Sequence, residues 1–142
     1  MRGMLVASGA VVLALTVSAS SGAATAWDQA KVTDLARQVA KATVELREIV
    51  EKNPDKPPGG ARKAQYSARE DLRLLVSATK RLAERLEAGA GRDETEGLYK
   101  RAAVLRRDAE EEAQRAGMLA NTKAQAEKTL ALLDQLGAYY ED

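Results

Sequence analysis

Three residue types are missing from the 142-residue chain: cysteine, histidine and phenylalanine. Without cysteine there is no disulfide, no thiolate nucleophile, no cysteine-type zinc site and no covalent haem attachment. Without histidine the chain lacks the side chain that most often does acid–base work near neutral pH, and the commonest metal ligand. A serine nucleophile would have no histidine base. Beyond the N-terminal segment the only serines are Ser67 and Ser77, neither in a G-x-S-x-G frame. Charge of one sign is also missing: 22 basic residues face 21 acidic ones, a formal net charge of +1. No field of that size draws a chain onto nucleic acid or an anionic membrane. These absences point away from catalysis, and no catalytic residue, metal ligand, cofactor or nucleic-acid partner is assigned.

Long apolar runs are scarce as well. The one present, residues 4–17, follows the positive stretch Met1-Arg2-Gly3 and precedes small residues ending in Ala24-Thr25-Ala26. Its length suits the core of a secretory signal and is short for a membrane span. The expected organisation is a cleaved signal at 1–26 and one domain at 27–142, exported to the periplasm or beyond. Cleavage after Ala19, in Val17-Ser18-Ala19, is the alternative. No cysteine follows the apolar run, so no lipoprotein anchor is expected, and no stable membrane span remains after cleavage. Removal of the leader takes Arg2 with it, leaving 21 basic residues against 21 acidic.

What the chain does have is helical periodicity. Apolar residues at Ala68, Leu72, Leu75, Leu82 and Leu86, with Thr79 in the remaining seat, repeat at alternating spacings of four and three. That 3.5-residue period marks a helix burying one stripe against others, as in a coiled coil. A first helix opens at Asp28, placed to cap the free N–H groups of its first turn, with Trp27 and Val32 at the positions of a hydrophobic staple. Its seam reads Val32, Leu35, Val39, Ala42, Leu46, Ile49, widened by Val50. All three prolines fall in NPDKPPGG at 53–60, a stiff connector that ends this helix. The second helix runs from about Ala61 to Ala88, and Gly89 is its left-handed terminator.

Asp93 with Glu96 resembles a capping box for a third helix, whose seam is Leu98, Ala102, Leu105, Ala109, Ala113 and Ala116. The carboxylates at Asp93, Glu94, Glu96, Asp108, Glu110, Glu111 and Glu112 read as a solvated face neutralised by Arg106, Arg107 and Arg115, not as a metal site. Gly117 is expected to break the helix, with a fourth from about Thr122 to Leu136 carrying Ala126, Thr129, Leu130, Leu133 and Leu136. The alternative is one continuous helix over 93–137, which implies a three-helix, dimeric protein.

Four helices of similar length on short connectors predict an all-α, antiparallel up-down four-helix bundle. In size, compartment and helix count this resembles the periplasmic four-helix-bundle cytochromes. The residues that hold haem in that family have no counterparts here, so the resemblance implies architecture alone. The topology gathers Trp27, Leu86, Tyr99, Tyr139 and Tyr140 at one end, either as a cap or as a partner- or ligand-binding patch. Tyr66 is expected at the core edge of the other end. The expected function is a non-enzymatic interaction or structural protein of the bacterial cell envelope, monomer or homodimer, with a protein partner. The alternative is a small-ligand carrier with an apolar slot beside the Ala-lined face of the third helix.

Overall fold

The structure, a computed structural model, describes residues 25–52, 61–116 and 120–141. Most of the expected leader, the proline-rich connector and the Gly117–Met118–Leu119 junction lie outside the described residues. Four helices follow in order: α1 (Gln29–Lys52), α2 (Ala61–Glu87), α3 (Arg92–Ala116) and α4 (Ala120–Gly137). No strand occurs among the described residues.

Local chemistry accounts for the helix ends. Asp28 caps α1: its Oδ1 accepts a hydrogen bond from Lys31 N at 3.1 Å, meeting one of the donors a helix start leaves unpaired. Trp27, ahead of the cap, packs against the cluster that contains Val32. At the end of α2, Gly89 takes φ +92°. Gly89 N donates to Leu86 O and Ala90 N to Arg85 O, both at 3.0 Å, the paired bonds of a Schellman ending. The start of α3 differs from expectation. The helix opens at Arg92, so Asp93 and Glu94 stand inside the first turn, where negative charge complements the helix dipole. Gly91 stands just before the helix, and its carbonyl accepts the Thr95 hydroxyl at 2.7 Å.

Side-chain contacts tie the helices to one another. Arg37 meets Glu87 and Thr43 meets Thr79, so α1 and α2 run oppositely. Arg85 reaches Glu94 between α2 and α3. Gln125 reaches Ala42 between α4 and α1. Tyr140, just past α4, returns to Thr95 at the start of α3, where the two hydroxyls lie 2.8 Å apart. In one straight helix those residues would be separated by about 68 Å at 1.5 Å per residue, so the continuous third helix is excluded. The most extensive helix–helix contact joins α2 to α3, followed by α1 to α2 and α1 to α4. Among the described residues the α3–α4 side has no comparable packed contact.

The core divides into two clusters. The larger joins α1, α2 and α4 through Val32, Ala36, Val39, Leu82, Ala83, Leu86, Leu133, Leu136 and Tyr140. The smaller joins α2 to α3 through Leu72, Leu75, Ala78, Ala102 and Leu105. On α1 the buried stripe is rotated from the expected seam: Ala36 and Thr43 are buried, whereas Leu35 and Leu46 are only partly so. That helix packs against α2 on one flank and α4 on the other, so the deepest line of its surface falls between two neighbours. Threonines hold the middle of the bundle. Thr43 and Thr79, 0% and 1% exposed, bond to each other at 3.0 Å. Thr129, equally buried, bonds to its own helix at Gln125 O. Each hydroxyl is therefore satisfied, as burial requires.

Candidate functional site

The five aromatic-end residues do gather. Tyr140 stacks on Tyr99 with centroids 4.5 Å apart and planes at 3°, and meets Trp27 edge-on at 5.3 Å and 76°. Leu86 is buried beneath them, and Tyr139 packs on the same cluster. The backbone around them is tied down. Trp27 Nε1 donates to Gln29 Oε1 at 3.0 Å, and Gln29 Nε2 donates to Ala90 O at 2.9 Å. The Arg92 guanidinium donates to Tyr139 O and Tyr140 O, at 3.2 and 3.0 Å. Burial pushes both the Tyr140 and Tyr99 phenols above the ordinary range; the Thr95 bond partly offsets this at Tyr140. Gly137 belongs to the same fit: a methyl group there would overlap the Tyr99 hydroxyl. This end is closely packed.

The other half of the bundle is different, and the reason lies in side-chain volume. Beyond Leu105, the apolar residues that α3 presents to the interior are Ala109, Ala113 and Ala116. Across from it, α4 presents Thr122, Ala126 and Thr129 before Leu130 and Leu133. Among the described residues nothing from α4 joins the α2–α3 cluster. Small side chains on both facing helices leave a slot of about 300 Å³, at the lower end of ligand-pocket sizes. Its α1 and α2 walls are Leu46, Val50, Ala68, Leu72 and Leu75.

Charged groups border the slot in pairs, with one exception. Arg106 bridges the open side to Asp134 at 2.5 Å and also meets Glu110 at 3.4 Å. Lys123 meets Glu127 at 4.0 Å. Arg69 also lines the slot, and its Nε is buried without a hydrogen-bond partner. The Ala-rich face of α3 signalled this slot in the sequence. Arg69 did not stand out, because its position beside Ala68 reads as an ordinary flank of the seam.

Tyr66, expected at the core edge, is 74% exposed. It borders a shallow acidic depression with Glu70, Asp71, Asp108, Glu111 and Glu112. Burial, then the charges of Asp108, Glu112 and Glu70, raise the Asp71 carboxyl above the usual range. Neighbouring cations pair with three of the others: Arg73 with Glu70, Arg107 with Asp108, and Arg115 with Glu112. Among the described residues no group of three or more acidic side chains has the geometry to hold a metal ion. Ser77-Ala78-Thr79-Lys80 forms an S-x-x-K frame on α2, but Ser77 and Lys80 are exposed, and a lysine base needs desolvation to act. No helix among the described residues is long and apolar enough to cross a membrane.

The chain matches no known family model, and comparison with curated proteins and with solved structures finds no significant relative.

Proposed function

We propose that the chain is an exported, non-enzymatic binding protein that carries a small ligand in the apolar slot between its helices. The observation that carries this reading is the slot itself: about 300 Å³, walled by all four helices, in a bundle whose other half is closely filled. Interiors normally pack to the density of organic crystals. A sequence that places alanine and threonine on both facing helices forgoes the burial that leucine would supply there, at ~25 cal/mol per Å². A bound ligand recovers that burial. The leader-like N-terminus supports export to the cell envelope, and the missing cysteine and histidine support a role without catalysis. The packed aromatic end supports a closing function for Trp27, Leu86, Tyr99, Tyr139 and Tyr140.

Titration with the neutral dye 1-N-phenylnaphthylamine tests the reading. Saturable fluorescence enhancement with one dye per chain is expected. A linear, non-saturating response would contradict it.

A further inference from the structure

We propose that the slot takes a single-chain carboxylate amphiphile, with its alkyl chain against the alanines and leucines and its carboxylate on the Arg69 guanidinium. The inference rests on the slot being a ligand site and adds the chemistry of the ligand. The charges around the slot carry it. Of the five ionic residues in its lining, Arg106 and Glu110 pair with each other, as do Lys123 and Glu127. Arg69 is the remaining one. Its neighbour in sequence, Glu70, does not serve it, since Glu70 is held by Arg73. Its Nε is shut off from solvent and has no acceptor. A buried donor left unsatisfied is costly, and a charged one more so.

An acceptor brought by the ligand removes that cost. A guanidinium offers Nε and an adjacent N–H along one edge, the spacing that matches the two oxygens of a carboxylate. The position of Arg69 also fits a molecule with one polar end. Gln65 and Arg69 stand toward the start of α2, level with Ala113 and Ala116 near the end of α3 and with Thr122 and Lys123 near the start of α4. From there the lining runs inward through Leu72 to Leu75 and Leu133, where the packed core closes it. On α4 the lined stretch from Thr122 to Leu133 corresponds to roughly 16 Å of helix, long enough for a medium-length alkyl chain. A neutral apolar molecule would fill the same space and leave the Arg69 Nε unpaired. A cationic one would be repelled by it.

The experiment uses the full folded chain at pH 8 with bound 1-N-phenylnaphthylamine, displaced by decanoate or by decanol below their aggregation concentrations. Decanoate is expected to displace the dye about tenfold more effectively than decanol, the scale of one charge-assisted hydrogen bond. Arg69→Met should remove that preference, bringing decanoate to the level of decanol measured on the same variant, and Arg69→Lys should keep part of it. Helicity by circular dichroism confirms that each variant is folded, and Arg69→Gln replaces Arg69→Met if the latter is not. Equal displacement by the two compounds overturns the carboxylate assignment while the slot itself stands. Decanoate preference persisting in a folded Arg69→Met or Arg69→Gln chain overturns the role of Arg69. Failure of the dye to bind at all overturns the underlying ligand site.

Discussion

Tyr140 shows how much one side chain does at the packed end. It stacks on Tyr99, meets Trp27 edge-on and bonds to Thr95, while remaining 5% exposed. Truncation to alanine removes a large buried ring, and Tyr140→Ala should cost about 3 kcal/mol in urea unfolding. Tyr140→Phe keeps the rings and loses one hydrogen bond. Thr95 retains Gly91 O as a partner, so the cost should stay near 1 kcal/mol. Asp71 gives a prediction of opposite sign. Its carboxyl is raised in the folded state by burial and by its acidic neighbours. The folded chain therefore binds that proton more tightly than the unfolded chain, and the charged form is a liability above the ordinary carboxylate range. Asp71→Asn should raise the Tm at pH 7, by no more than about 0.5 kcal/mol in stability. The gain should fade as the pH falls through the raised pKa and Asp71 becomes neutral by itself.

At the scale of the element, two glycines separate backbone conformation from helix propensity. A methyl group added at Gly89 or at Gly97 would meet no neighbour within 4 Å, and only Gly89 has positive φ, +92°. Gly89→Ala should destabilise by about 1 kcal/mol, because the Schellman ending needs a left-handed residue. Gly97→Ala, on the exposed face of α3, should stabilise by about 0.5 to 1 kcal/mol. Paired urea titrations of the two variants read the difference directly. The helices themselves are legible from the residues. Asp28, the 3.5-residue stripe of α2 and the Gly89 terminator all behave as local chemistry dictates. Structure and sequence pattern part where partners decide the outcome. Thr95 and Thr43 are buried because Tyr140 and Thr79 stand opposite, and no local pattern encodes that pairing. The buried line of α1 turns toward Ala36 and Thr43 because that helix serves two neighbours. Tyr66 falls outside the stripe of α2, and its bulk alone is a poor guide to burial.

For the whole molecule, the consequence of this packing is an asymmetric bundle. One half is filled by Leu82, Leu86, Leu133, Leu136 and the aromatic rings. The other is lined by small residues on α3 and α4, with Arg106 and Asp134 spanning the side where those helices do not pack. The alanine face of α3 can be read from the sequence. That it encloses space, instead of drawing a neighbour close, depends on α4 being small at the same level. The unpaired Nε of Arg69 emerges only once every other charge around the slot has found its partner.

If this space is kept for a ligand, filling it with the protein's own side chains is the most direct test. Ala113→Leu with Ala126→Leu adds bulk from both facing helices. The measurement is the affinity for 1-N-phenylnaphthylamine, with thermal unfolding of the same samples as the control on folding. Dye affinity is expected to drop at least about tenfold while stability rises by about 1 kcal/mol per substitution, as newly buried methyl groups replace the empty volume. Undiminished dye binding in a folded double variant would contradict a slot kept open for a ligand.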